Sequence, residues 1–143
     1  VGTMMAETHR AACAMLDTFA AMGHPVILQA FVSEAAGSDL RCFVVGDRVV
    51  AAMRRRARGD EFRSNLHRGG KGQAVVLTRA QRSAALRAAR VLDLTVAGVD
   101  LLESDAGPVV LEVNCSPGLE GIEEVTGVDI ADAIIAHGEE LVG

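Results

Sequence analysis

The chain reads as an α+β domain: a mostly antiparallel sheet with helices packed on one side of it. Two observations predict this. Short strand-like runs are joined by tight turn signals, at Gly46-Asp47 and across residues 104–108, and a tight turn makes its two strands antiparallel. Stretches with the apolar spacing of helices fall at the start, in the middle and at the end of the chain. The expected order is helix, three strands, a long loop, a strand, a helix, a hairpin and a helix.

The first helix is expected over residues 6–22, where Ala12, Met15, Leu16, Phe19 and Met22 recur on one face. Gly23 stops it and Pro25 forbids its continuation. Residues 26–32 read as a short buried strand, and 33–38 as a loop. Asp39 opens the next strand, which returns through Gly46-Asp47 into a strand from Arg48 to about Ala57. The run Arg54-Arg55-Arg56 puts charge on both faces of that strand, so at least one arginine is expected to point into a site. Residues 58–72 form a loop rich in Arg, Gly and Asp, and 73–77 a strand. Thr78 and Gln81 make a capping box for a helix that turns Ala85, Ala88, Ala89 and Leu92 inward. Residues 115–127 are a second long loop, after which Asp129 caps a helix burying Ile130, Ile134, Ile135 and Leu141.

Composition narrows the function classes. With 143 residues, half of them hydrophobic, the chain can bury a real core as one soluble globular domain. A net charge of −5 gives no broad attraction to nucleic acid or anionic membrane, and the absence of Trp and Tyr leaves little for base stacking. Cys13, Cys42 and Cys115 have no CxxC spacing, which points away from zinc and disulfides and toward a reducing cytoplasm.

The most telling residues are Asp100, Glu112 and Asn114, on strand-like runs 95–103 and 109–114. With Asp105 opposite Gly107, Leu102 falls opposite Val110 and Asp100 opposite Glu112, and Asn114 shares the face of Glu112. Two carboxylates directly opposite repel each other. A cation between them removes the conflict, and two carboxylates plus an amide oxygen suit a hard ion such as Mg²⁺, completed by substrate phosphates. Val99, Leu101, Leu111 and Val113 supply an apolar opposite face. A solvent-facing polar edge with no ligand is the alternative. Arg63-Ser64-Asn65, in the first long loop, offers a guanidinium fork and two neutral donors of the kind phosphate oxygens need.

The run Asp60-Glu61-Phe62-Arg63-Ser64-Asn65-Leu66-His67-Arg68-Gly69-Gly70 resembles the ribosomal-protein glutamate ligases called RimK, of the ATP-grasp superfamily. So do Val96-Ala97-Gly98-Val99-Asp100 and Glu112-Val113-Asn114-Cys115-Ser116-Pro117-Gly118-Leu119-Glu120-Gly121-Ile122-Glu123. The resemblance implies an ATP-grasp C-terminal domain spanning residues 1–143. It implies Asp100, Glu112 and Asn114 as ligands of Mg²⁺ (or Mn²⁺). Arg63, Ser64 and Asn65 are implied at the ATP phosphates, with Arg63 stabilising charge during transfer. Ala30 and Phe31 are implied at adenine through their backbone, and Asp39 near the ribose. Val1-Gly2 resembles the tail of a glycine-rich lid.

The implied reaction is ATP-dependent ligation of a carboxylate to an amine through an acyl phosphate, with glutamate added to a protein or peptide C-terminus. Related ligases act on small molecules or coenzymes, and a non-catalytic nucleotide- or anion-binding module is an alternative of another class. The family's N-terminal domain and most of the small lobe, with its phosphate-binding lysines, have no counterpart here. Lys71, the only lysine, does not match those positions. The chain is therefore expected to be a fragment, inactive alone, with exposed apolar surface able to drive homo-oligomerisation.

Overall fold

A computed structural model describes residues 3–35, 37–57 and 71–143. The chain divides into two compact units, Val1–Phe31 and Val32–Gly143.

The first unit holds one helix, α1 (His9–Ala21). Thr8 caps it, its Oγ1 accepting from the Ala11 amide at 3.1 Å, and Gly23 follows with φ +70°, where a side chain would be strained. Residues 26–32 are not a strand: Val26, Ile27, Leu28 and Phe31 are exposed and no described strand pairs with them. An apolar run becomes a strand only when a neighbour completes its ladder, and periodicity alone does not supply that neighbour.

The second unit is built on a five-stranded sheet. Its strands are β1 (Ser38–Val45), β2 (Arg48–Arg56), β3 (Lys71–Ala74), β4 (Val96–Ser104) and β5 (Gly107–Asn114), in the order β3-β2-β1-β4-β5 with every pairing antiparallel. A single 3₁₀ turn, Ser33–Ala35, precedes it. The helices are α2 (Arg79–Val91), α3 (Glu120–Thr126) and α4 (Ile130–Val142). Strand β3 begins earlier than the sequence implies, because its partners are Arg56 to Met53 of β2, and it ends before Val76, which is fully exposed.

Strand β1 lies at the centre and is apolar on both faces from Cys42 to Val45. Leu40, Cys42 and Val44 join Ala97, Val99 and Leu101 under Ala84, Ala85 and Ala89 of α2. Phe43 and Val45 join Ala51 and Met53 under Ile122 of α3 and Ile130 of α4. Helices therefore cover both faces, not one. A strand with no polar side requires cover on both sides, and the unbroken run Cys42-Phe43-Val44-Val45 carried that signal.

The capping box of α2 forms in full: the Thr78 amide donates to Gln81 Oε1 at 2.8 Å, and the Gln81 amide donates to Thr78 Oγ1 at 3.2 Å. Leu92 is exposed rather than inward, because the helix ends at Val91 and the chain turns at Asp93 with φ 54°. Along α4, Ile130 and Ile134 reach the core while Ile135 and Leu141 are exposed. The face that meets the sheet instead continues to His137, whose ring abuts Gly46 at the β1–β2 turn.

Candidate active site

The face of the sheet that carries Phe43 and Val45 also carries the charged residues. Alternation along β1 puts Asp39 and Arg41 on that face, and the ladders set Arg55 beside Asp39 and Asp100 beside Arg41. Across β4–β5, Asp100 is the direct partner of Glu112 and Gly98 of Asn114. Arg41, Asp100 and Glu112 thus form one row across three neighbouring strands. Nearer the turn the predicted register fails: Leu102 faces Val109, not Val110. The hairpin closes Ser104 on Gly107, one residue wider than expected, and a bulge between Asp100 and Leu101 leaves Leu111 without a partner. The two offsets cancel at Asp100. The bulge also exposes Leu111, so it does not join the apolar face that Val99, Leu101 and Val113 build.

The ion pairs are short and bidentate. Arg41 donates from Nε to Asp100 Oδ1 at 2.8 Å and from Nη2 to Asp100 Oδ2 at 2.7 Å. Arg55 donates to both oxygens of Asp39 at 2.7 Å and from Nη2 to Asp100 Oδ2 at 2.6 Å. Arg41 Nη2 also lies 3.8 Å from Glu112 Oε1. Asp39, Arg55 and Asp100 are all buried, so each charge depends on its partners for the solvation it has lost. Burial by itself lowers the pKa of Arg55. The hydrogen bond to Asp39 and the charges of Asp100 and Asp39 outweigh it and leave the guanidinium more firmly protonated than usual. On the reverse face, beside α2, the Arg54 guanidinium bonds Glu103, which also accepts from Gln81 Nε2 at 2.9 Å.

The donor set fits a hard divalent ion. Asp100 Oδ1 accepts a single hydrogen bond, Glu112 opens to solvent, and Asn114 projects from the same strand two residues on. Among the described residues no group of three His, Cys, Asp or Glu converges as a self-sufficient metal cage. Two carboxylates and an amide match the way Mg²⁺ binds, with few protein ligands and the rest from phosphate and water. Asn114 Oδ1 accepts from the Ser116 amide at 2.9 Å, which starts a tight turn and brings Pro117 over Gly98. A Cβ at Gly98 would meet Pro117 Cβ at 2.8 Å, so glycine is what lets this turn close on β4.

Of the residues singled out in the sequence, Asp39, Asp100, Glu112 and Asn114 share one sheet face, and from the arginine triplet Arg55 joins them through its bonds to Asp39 and Asp100. Arg63, Ser64 and Asn65 lie outside the described residues. Ala30 and Phe31 belong to the first unit and are exposed. Arg41 was missed. Its spacing of two from Asp39 on a strand was the available signal, since it fixes a shared face.

A family model for a RimK-like ATP-grasp domain matches residues 1–137. A probable alpha-L-glutamate ligase of a Picosynechococcus strain is 54% identical over 140 residues, covering 98% of this chain and 46% of the relative. One from Pseudomonas paraeruginosa is 52% identical over the same length. The chain thus spans about half the length of these curated relatives. Among solved structures, the ATP-grasp ligase PsnB, complexed with a phosphomimetic variant of its minimal precursor, Mg and ADP, superposes with a TM-score of 0.55. It is 28% identical and covers 71% of this chain and 32% of that one. D-alanine–D-alanine ligase from Bacillus anthracis, complexed with ATP, gives a TM-score of 0.67 over 94% of this chain and 48% of that one; at 19% identity it shows the shared fold. Motif, sheet and relatives agree, and the chain belongs to the RimK-like ATP-grasp family.

Proposed function

We propose that this chain is the metal- and phosphate-binding part of an ATP-dependent carboxylate–amine ligase that adds glutamate to a protein or peptide C-terminus. The observation that carries this reading is the row Arg41–Asp100–Glu112, with Arg55 and Asn114 beside it on one sheet face. Asp100, Glu112 and Asn114 would hold Mg²⁺ or Mn²⁺. The bound ion supplies neutralisation of phosphate charge during transfer. Arg41 and Arg55 fix the Asp100 carboxylate in one orientation and add positive charge where phosphate oxygens would gather. Arg63, Ser64 and Asn65 would contact the ATP phosphates, with the backbone of Ala30 and Phe31 at adenine and Asp39 toward the ribose.

In the reaction, the γ-phosphoryl group of ATP passes to a carboxylate oxygen of the acceptor, giving ADP and an acyl phosphate. The glutamate amine then attacks the acyl carbon, the bond to the phosphate oxygen breaks, phosphate departs and the nitrogen loses a proton. No protein nucleophile is required. Support for glutamate comes from the names of the relatives, and for a peptide acceptor from the precursor bound to PsnB. No described helix is long and apolar enough to cross a membrane, and the proposed setting is the cytoplasm.

The test is ADP release by a chain extended to the relatives' full length, supplied with Mg-ATP, glutamate and a peptide, with the peptide weighed before and after. A mass gain of one glutamyl residue per ADP is expected. ATP binding with no ADP release for any amino acid and peptide would replace this reading with a binding module.

A further inference from the structure

Helix α2 carries Arg79, Arg82, Arg87 and Arg90 and no acidic residue. All four are exposed, and among the described residues none of them forms an ion pair; Arg82 only reaches the Val49 carbonyl at 3.4 Å. With Ser83 and Leu86 they line an open groove of about 250 Å³ on the outer side of the helix. Like charges three residues apart on a helix repel, so this face is held at a cost within a chain whose net charge is −5. The helix packs on the sheet face of Leu40 and Cys42, the reverse of the face that bears Asp39 and Arg41. The groove is therefore separate from the carboxylate row.

We propose that this arginine groove docks an acidic polypeptide segment. Guanidinium forks pair with side-chain carboxylates in a planar, two-pronged geometry, and Leu86 between them offers an apolar floor for the methylene stems of glutamate. A single-stranded nucleic acid would be served by aromatic stacking, and α2 has no aromatic residue. The net negative charge of the rest of the chain also favours a short acidic segment over a long polyanion. The inference stands on α2 alone and does not depend on the reading of the ATP site.

The experiment is a fluorescence anisotropy titration of the 143-residue chain with fluorescein-labelled hexaglutamate at low salt. Binding that weakens with added salt is expected, with Arg87→Gln/Arg90→Gln weakening it about tenfold at unchanged circular dichroism. Amide exchange of the unmutated chain provides a second measurement that needs no variant, and protection on peptide addition should map to Arg79–Val91. Three results would each overturn the proposal. One is no binding. Another is binding or protection located away from α2. The third is tighter binding of an oligouridylate of equal charge. Mg-ATP binding, measured separately, should be unchanged by the double substitution, so failure here and failure at the ATP site remain distinguishable.

Discussion

Asp100 stands directly opposite Glu112 because Leu111 is bulged out of the β4–β5 ladder. The wider Ser104–Gly107 closure would otherwise shift each pairing by one residue, and a one-residue slip turns a side chain to the other face. The bulge restores the acidic pair to one face at the place where Arg41 bridges it, 2.7 Å from Asp100 and 3.8 Å from Glu112.

The proposed metal set predicts a direct ion-binding defect. Titrated with Mn²⁺ in the presence of ATP, the unmodified chain should bind the ion and broaden its paramagnetic resonance. Glu112→Gln removes one charge and should weaken binding by about tenfold or more, with the fold intact. Equal Mn²⁺ affinity in the variant would remove Glu112 from the set.

Arg55 is the cation between two buried aspartates, so its loss should be felt in folding rather than only in binding. Arg55→Ala takes one buried cationic partner from each of Asp39 and Asp100 and should cost about 3–5 kcal/mol in urea unfolding. A loss below about 1 kcal/mol would mean that water or Arg41 replaces it freely.

The thiols should separate into two classes. Burial first, and the nearby Asp100 charge second, push Cys42 up to about 12, while Cys13 and Cys115 are exposed. At mildly alkaline pH iodoacetamide should label Cys13 and Cys115 in the folded chain and reach Cys42 only with denaturant, as read by peptide mass. Native labelling of Cys42 would contradict its place beneath α2.

Gly98→Ala should disturb the site without touching a charged residue. The new methyl meets Pro117 Cβ at 2.8 Å and must displace the turn that follows Asn114. A stability loss of about 1–3 kcal/mol is expected, together with weaker Mn²⁺ binding through the moved Asn114. Unchanged stability and ion affinity would show that the turn yields without strain.

Glu103 gives a pH dependence. Its hydrogen bond from Arg54, opposed by partial burial, holds its carboxyl below the ordinary glutamate range. A depressed carboxyl stabilises the fold above its unfolded pKa, and that contribution fades as pH falls through the folded pKa. The gap in stability between the unmodified chain and Glu103→Gln should therefore shrink as pH drops below the ordinary value of 4.5. A gap constant down to about pH 3 would exclude this ion pair as the cause.

The sequence by itself determined the elements whose signals are local. Thr78 with Gln81 specified a helix start, Gly46-Asp47 specified a two-residue turn, and alternation placed Asp39, Asp100, Glu112 and Asn114 on strand faces. Such signals need only neighbours a few residues away. Tertiary structure alone decided what depends on distant partners. The apolar run at 26–32 has no ladder partner among the described residues, and the helices divide between two faces because β1 is central and needs cover on both. The bulge at Leu111 corrected a register that turn length alone put wrong. The union of Arg41, Arg55, Asp39 and Asp100 depends on contacts 16 to 59 residues apart. No short window of sequence contains both ends of those bonds, and only the closing of the sheet brings the charges within reach of each other.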